Sequence, residues 1–273
     1  MNTTELKMYN FLKDLKENHH IIGIKISYED EGLTGELAQI ISSIALKAGV
    51  AVSMKIGGCE AKRDMHDAKV LGADKIVAPM IETAYAMKKY VEAVRSVYTD
   101  DEKQNTKFMI NVETIGGYNN LSEMVKQPEF SEIYGITLGR VDFSGSMGKD
   151  RSFVNSEEMQ QIAINMANIA KETGKKFFIG GGVSAASLDF FRKLPQEVFA
   201  SFETRNIIFD AQYSLQDAGI EEALTKAMGF ELAWMQRKKE FYGHLSNAET
   251  KRIAMIEERY SSSVAALSKQ KAV

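Results

Sequence analysis

The chain has 273 residues, of which 26% are charged, and its net charge is −3. Because positive and negative charges nearly balance, no strong overall field would attract nucleic acid or an anionic membrane. No apolar run approaches the roughly 20 residues that a membrane-spanning helix needs. The polar start at 1–5 is not typical of a signal peptide, and the single cysteine, Cys59, cannot form a disulfide within the chain. We therefore expect a cytoplasmic protein.

Apolar runs that predict strands alternate along the chain with amphipathic stretches that predict helices. The first predicted element is a helix over 5–16. The predicted strands cover 21–26, 50–56, 75–79, 108–113, 133–139, 176–179 and 198–202. The predicted helices after them cover 33–47, 61–71, 83–98, 119–126, 156–172 and 184–194. An eighth strand is expected at 206–209 if the 198–209 region divides in two, and the chain is expected to be helical from about 212.

Regular alternation of strands and helices predicts an α/β protein with a parallel sheet. Seven or eight strands in a chain of this length favour a (β/α)8 TIM barrel, regular or irregular. One domain is expected over 1–273, with an N-terminal helix in 1–20 and a C-terminal helical extension over about 212–273. An open doubly wound sheet is the alternative, but no Gly-x-Gly-x-x-Gly follows the first strand to suggest dinucleotide binding.

Two predicted strands each end in an acid that small residues follow. Glu113 ends the strand over 108–113, and Asp142 closely follows the strand over 133–139. Because the carboxyl ends of parallel strands meet at one rim, the two carboxylates are expected to converge. Two hard oxygen ligands with room for water suit Mg²⁺ or Mn²⁺, which would polarise a carbonyl and stabilise an enolate. The alternative is that both acids only cap helices.

Further polar residues are expected at the same rim. They are Lys25, Glu29, Glu31, Lys55, Glu60, Glu82, Asn111, Arg140, Glu203 and Arg205. Many rim residues are simply solvated, whereas Lys55 ends an apolar strand and could hold an enolate or carboxylate oxygen. The alternatives for Lys55 are a Schiff-base lysine and a strand-end lysine without a function. The glycines at 180–182 could cradle a phosphate or carboxylate, or could only form a tight turn.

Three segments resemble the class II pyruvate aldolases of the HpcH/HpaI aldolase and citrate lyase β family. The segment 111–114, Asn-Val-Glu-Thr, is similar to the family's Gln-x-Glu-Thr. The segment 139–148, Gly-Arg-Val-Asp-Phe-Ser-Gly-Ser-Met-Gly, is similar to Gly-Pro-x-Asp-Leu-Ser-x-x-x-Gly. The segment 71–80 ends in Pro-Met, like the family's Pro-Met strand.

The resemblance implies a modified TIM barrel related to pyruvate kinase, with Mg²⁺ or Mn²⁺ held by Glu113 and Asp142. It implies that pyruvate chelates the metal beside Asn111. Backbone amides near Gly139, Arg140 and Val141 would receive the pyruvate carboxylate. The family's catalytic arginine falls at Lys55, which would stabilise the enolate.

Two departures from the family pattern concern the substrate and its proton. The family's early Asp and His pair is missing, so Glu31 or Glu29, paired with Lys25, is expected to transfer the proton. Arg140 stands where the family has proline and adds a cation for an acidic or phosphorylated substrate. Arg205 is also expected at the substrate, although its segment has no counterpart in the family pattern.

The expected function is that of a metal-dependent carbon–carbon lyase, which cleaves or forms an aldol bond between pyruvate and an aldehyde. One alternative is another pyruvate- or phosphoenolpyruvate-using enzyme, such as a Claisen-type lyase or a phosphotransferase. Another is a barrel that binds a 2-oxo acid without turnover. We expect a homo-oligomer in which the C-terminal helices pack on a neighbouring subunit, as terminal helices do in related aldolases.

Overall fold

The computed structural model describes residues 1–270, with side chains for 1–263. Eight strands form a closed barrel in chain order, which confirms the predicted TIM barrel. The strands are β1 Ile21–Ser27, β2 Ala51–Lys55, β3 Lys75–Ala78, β4 Lys107–Val112, β5 Gly135–Gly139, β6 Lys176–Gly180, β7 Phe199–Glu203 and β8 Ile207–Asp210. The region 198–209 therefore divides into two strands.

Helices surround the barrel. They are α1 Thr3–Asn18, α2 Tyr28–Glu31, α3 Gly35–Ala48, α4 Lys62–Val70, α5 Ala84–Val97, α6 Asp100–Asn105, α7 Ile115–Met124, α8 Arg140–Ser146, α9 Glu157–Glu172, α10 Leu188–Arg192, α11 Ala211–Ser214 and α12 Ile220–Gln270. Short 3₁₀ helices cover Pro128–Glu132, Arg151–Asn155 and Ala185–Ser187. The sequence did not predict α2, α6 or α8. Helix α7 begins at Ile115 rather than at 119 because Thr114 caps it, accepting from the Gly117 N–H at 3.0 Å.

The last strand differs from the expected parallel arrangement. Strands β1 to β7 pair in parallel, but β8 is antiparallel to both β7 and β1. Only 204–206 lie between β7 and β8, whereas a parallel crossover needs about a dozen residues or more. Glu231 of α12 secures this short turn, since its carboxylate accepts from the Thr204 hydroxyl at 2.6 Å and the Asn206 N–H at 3.1 Å.

The main hydrophobic core lies between the barrel and its helices, and a second, small cluster contains Val77, Met109 and Phe178. Side chains alternate across a strand, so every second residue of β4 shares a face with Met109. Toward the carboxyl end of β4 these residues are Asn111 on the strand and Glu113 just beyond it, and both line the cavity described below. Along this face of β4, the residues that line the barrel interior thus change from apolar to polar toward the carboxyl end of the strand.

Helix α12 has two distinct parts. Its first part packs on α1 and buries Ala227, Phe230 and Trp234. Beyond Tyr242 the described side chains are mostly exposed. With 51 residues the helix would be about 75 Å long at about 1.5 Å per residue. Residues 271–273 of the expected C-terminal extension lie outside the described residues, and no described helix is long and apolar enough to cross a membrane.

Candidate active site

A cavity of about 680 Å³ opens at the carboxyl ends of the parallel strands. Nine of the eleven predicted site residues line it, namely Lys25, Glu29, Lys55, Asn111, Glu113, Gly139, Val141, Asp142 and Arg205. Its size lies within the range of small-molecule sites in proteins. Glu31 and Arg140 are absent from the lining.

Glu113 is a buried carboxylate held from several sides. It follows β4 directly, and 2% of its side-chain surface is exposed. One oxygen accepts from the Met80 N–H and the other from the Asn111 amide, both at 3.0 Å. Met80 has a φ of 50°, which is unusual for a residue with a side chain. This strained backbone directs its N–H at the carboxylate.

Lys55 lies between two carboxylates. Its Nζ is 3.2 Å from a Glu113 oxygen and 3.1 Å from a Glu29 oxygen. Burial alone would lower the pKa of the ammonium, but the charges and hydrogen bonds of Glu113 and Glu29 outweigh it, so the pKa is raised. Lys55 is therefore a fixed cation at neutral pH.

Asp142 lies in the first turn of α8 and lines the same cavity as Glu113. Burial raises the pKa of its carboxyl, and the negative charge of Glu113 raises it further. Both effects disfavour the ionised form of the Asp142 carboxyl. Among the described residues no group of three or more His, Cys, Asp or Glu side chains could hold a metal ion. The two predicted metal ligands are thus a pair, with no third such side chain grouped with them among the described residues.

Two glycines keep the space around these acids open. A Cβ on Gly139 would lie 2.5 Å from Glu113 Oε2, so a larger residue would displace the carboxylate. Gly181 has a φ of 80°, and a Cβ there would lie 2.7 Å from the Val141 nitrogen and 2.9 Å from the Arg140 nitrogen. The glycine turn after β6 therefore approaches the backbone at the start of α8.

Lys25 forms an ion pair with Glu203, which the sequence did not predict as its partner. Its Nζ, on β1, lies 2.5 Å from Glu203 Oε1 on β7, and only β8 lies between these two strands. The expected pairing of Lys25 with the glutamates of the 29–31 loop is therefore wrong. Arg205 instead approaches that loop, with its guanidinium 3.1 Å from Asp30.

Glu31 faces away from the cavity and binds α12. Its oxygens accept from the Trp234 indole at 2.9 Å, the Lys238 ammonium at 2.5 Å and the Asn206 amide at 3.0 Å. Burial would raise the pKa of this carboxyl, but these hydrogen bonds lower it below its ordinary value. We correct the prediction that Glu31 transfers a proton, because its carboxylate is committed to a structural contact.

Arg140 is fully buried and is also turned away from the cavity. Its guanidinium donates to Gly180 O at 3.3 Å, Val154 O at 3.1 Å and Asn155 Oδ1 at 2.8 Å, and it lies over the Phe191 ring. Burial lowers the pKa of Arg140 to about 9. The expectation that this side chain binds an acidic substrate is therefore corrected, and only its backbone remains near the site.

The sequence did not single out several residues of this site. The N–H of Met80, the hydroxyl of Thr137 and the side chain of Arg151 were all missed, although Thr137 and Arg151 line the cavity. Thr137 lies two residues before Gly139, and the alternation along β5 could have placed it on the interior face. No sequence signal would have identified the backbone of Met80.

Residues 39–188, more than half of the chain, match the family profile described as HpcH/HpaI aldolase/citrate lyase. The chain belongs to this family. Members of the family are lyases or synthases, so the protein is expected to be an enzyme. No curated protein matches the sequence.

Several solved structures share the fold of this HpcH/HpaI family member. A family protein from Burkholderia cenocepacia J2315 is 14% identical with a TM-score of 0.55, over 81% of this chain and 99% of that chain. Citrate synthase SbnG is 13% identical with a TM-score of 0.54, over 84% and 98%. Macrophomate synthase is 15% identical with a TM-score of 0.54, over 87% and 90%. Identities this low indicate a common fold and leave the activity open.

Proposed function

We propose that this protein is a divalent-metal-dependent carbon–carbon lyase that cleaves or forms an aldol bond between pyruvate and an aldehyde. The observation that carries the proposal is the position of the Lys55 ammonium between Glu113 and Glu29, in a cavity that Asp142 also lines. This arrangement joins a fixed cation, the acidic pair Glu113 and Asp142, and the partly exposed carboxylate of Glu29 within one site. Membership of a family of lyases and synthases supports the same conclusion.

Glu113 and Asp142 would hold the divalent metal, Mg²⁺ or Mn²⁺. Their charges fit such an ion, because the pKa of Asp142 is raised by burial and by its repulsion from Glu113. A cation between them would remove this repulsion, and two carboxylates leave coordination positions for water and substrate oxygens. When bound, the ion supplies Lewis-acid polarisation of the carbonyl of a 2-oxo acid.

Lys55 would stabilise the enolate oxygen of pyruvate by its positive charge. Negative charge develops on this oxygen as the carbon–carbon bond breaks, and a fixed cation in a buried site lowers the barrier. A Schiff base would instead require the neutral amine. The raised pKa of Lys55 disfavours that form.

Glu29 would transfer the proton. In the cleavage direction its carboxylate takes the proton from the 4-hydroxyl of a 4-hydroxy-2-oxo acid, and the bond between C3 and C4 breaks. The products are an aldehyde and the enolate of pyruvate, which then takes up a proton at C3. Glu29 suits this role because it lines the cavity and 30% of its side chain remains exposed.

The substrate carboxylate would bind at the backbone amides near Gly139, Arg140 and Val141. The close approach of Gly181 supports this, because any side chain at position 181 would collide with the Arg140 and Val141 nitrogens. Asn111 and Arg205 line the same cavity and would contact the substrate from the strand ends.

We further propose that the protein acts in the cytoplasm as a single-domain barrel and assembles into a homo-oligomer through the distal part of α12. Tyr242, Leu245, Ile253, Ile256 and Tyr260 are all exposed there. Their spacing of three, four or eight residues puts them on one helix face. Such a stripe is typical of a helix that packs against a partner.

Release of pyruvate from a panel of 4-hydroxy-2-oxo acids, coupled to a pyruvate reductase, tests the proposed reaction. We expect release that EDTA abolishes and that added Mg²⁺ or Mn²⁺ restores. Pyruvate release that is insensitive to EDTA, or no release across the panel, would contradict the proposal.

A further inference from the structure

Two buried polar atoms without partners belong to side chains that line the cavity. Asn111 Oδ1 and Thr137 Oγ1 are buried, and neither accepts or donates a hydrogen bond among the described residues. Their residues are 5% and 3% exposed, and both line the cavity. Unpaired polar atoms at such depth are uncommon in folded proteins, because each loses its hydrogen bonds to water.

The two residues are neighbours. Asn111 on β4 and Thr137 on β5 are paired in the sheet register, so their side chains leave adjacent strands on the same face. The two unpaired atoms therefore belong to neighbouring side chains of the cavity lining.

The Glu113 carboxylate fixes the orientation of the Asn111 amide. Asn111 Nδ2 donates to Glu113 Oε2 at 3.0 Å, and the reversed amide would bring its oxygen against the carboxylate. Asn111 thus presents an acceptor to the cavity, while the Thr137 hydroxyl can either donate or accept. The group that satisfies both must donate to Asn111 and can accept from Thr137, and a hydroxyl does both.

We infer that Asn111 and Thr137 form a hydroxyl-binding pair that selects a hydroxylated substrate. This inference rests on the proposed function for the reaction, since it names the substrate class of the same cavity. The substrate carries a hydroxyl beyond the groups that an aldol reaction uses, on either the 2-oxo acid or the aldehyde. The site then prefers a sugar-like substrate to one with a hydrocarbon end.

Binding of two non-reacting acids tests the pair without requiring turnover. Glycerate and lactate differ by one hydroxyl, and calorimetry would measure the affinity of each in the presence of Mg²⁺. We expect glycerate to bind at least about tenfold more tightly to the wild type, because a site built for a hydroxyl rejects the analogue that lacks it. Thr137→Val should abolish this preference, and Thr137→Ser should retain it.

Ser42→Ala is the matched control. Ser42 on α3 also carries a buried hydroxyl without a partner among the described residues, but it does not line the cavity. This variant should keep the full preference for glycerate. Thr137→Val should also raise the midpoint of thermal unfolding without ligand, because it removes an unsatisfied hydroxyl at nearly constant volume.

Comparison of catalytic efficiencies then locates the hydroxyl. A preference for hydroxypyruvate over pyruvate assigns it to the 2-oxo acid, and a preference for glycolaldehyde over acetaldehyde assigns it to the aldehyde. The inference is overturned if the wild type binds glycerate no better than lactate, including no binding of either, or if Thr137→Val keeps the preference. Either result is independent of whether pyruvate is released, so it leaves the proposed reaction to its own test.

Discussion

The Lys55 ammonium lies between two carboxylates, so its loss should affect both the charge balance of the site and the rate of the reaction. Lys55→Met is expected to lower kcat for pyruvate release by about 10²–10³, the range for a removed oxyanion-stabilising group. Lys55→Arg should recover part of the rate, since it keeps the positive charge. Lys126→Met, which removes an exposed lysine paired with Glu123, is the control. A Lys55→Met enzyme with wild-type kcat would exclude the proposed role.

Asp142 should link metal affinity to pH. A proton and a divalent ion compete for this carboxylate. Burial and the charge of Glu113 raise the pKa of Asp142. As the pH is lowered, the affinity for Mn²⁺ should therefore begin to fall at a higher pH than it would at a site with an ordinary aspartate. Asp142→Asn should weaken Mn²⁺ binding by at least about tenfold. Calorimetric titration with MnCl₂ over a pH series measures both effects, and unchanged affinity in the variant would contradict them.

The same raised pKa has a consequence for stability. The folded state disfavours the ionised form of Asp142. Asp142 therefore lowers the free energy of unfolding increasingly as the pH rises from the ordinary aspartate pKa through the raised pKa. In EDTA at neutral pH, Asp142→Asn should therefore unfold at a higher temperature than the wild type. Asp189→Asn, which changes an exposed residue, should not.

Individual residues were predictable from sequence only where the strand fixed their direction. Glu113 and Lys55 were placed correctly in the cavity because each ends or directly follows an apolar strand, so its side chain points to the rim. Arg140 is the first residue of a helix, and the turn of that helix sends its side chain into the protein. For a charged residue that follows a strand but lies outside it, the sequence thus does not predict the direction of the side chain.

The short helix α2 separates two glutamates that the sequence could not distinguish. Glu29 faces the cavity and Lys55, whereas Glu31 faces α12. Side chains two positions apart on a helix differ by about 200° in direction, which places Glu29 and Glu31 on opposite sides of α2. Because the sequence did not predict α2, it gave both acids the same role.

A pair of variants should separate these roles. Glu29→Gln is expected to lower kcat by about 10²–10⁴, as loss of a general base would. It should lower the free energy of unfolding less than Glu31→Gln does, because 30% of the Glu29 side chain is exposed and a glutamine oxygen can still accept from Lys55. Glu31→Gln is expected to lower the free energy of unfolding by about 1–3 kcal/mol through its contacts to Trp234 and Lys238. Activity per folded molecule should survive the second change. Urea unfolding and pyruvate release measure the two effects, and the reverse pattern would make Glu31 the catalytic acid.

The barrel could be predicted as a whole because its strands are short, apolar and regularly separated by helices. The direction of β8 could not be predicted, since a run of three apolar residues, Ile207, Ile208 and Phe209, has the same pattern in both directions. The length of the connection before β8 does indicate its direction, because three residues are too few for the crossover helix that a parallel strand would need.

At the scale of the whole molecule, the distal part of α12 should determine assembly. Light scattering at micromolar concentration is expected to find an oligomer for the wild type. Ile253→Lys with Ile256→Lys should dissociate it, because two charges would enter the apolar stripe. Glu258→Lys lies on the opposite side of the helix and should leave the oligomer intact. A monomeric wild type would contradict the proposed assembly.

The antiparallel seam between β1 and β8 also orders events during synthesis. Strand β1 leaves the ribosome before the other seven strands, whereas its partner β8 emerges last of the eight. Until then β1 and β7 both present unpaired edges, which other chains can join. The three-residue turn after β7 keeps this interval short, since β8 can fold back as a hairpin as soon as it is translated. Closure by a hairpin thus completes the barrel without waiting for another helix.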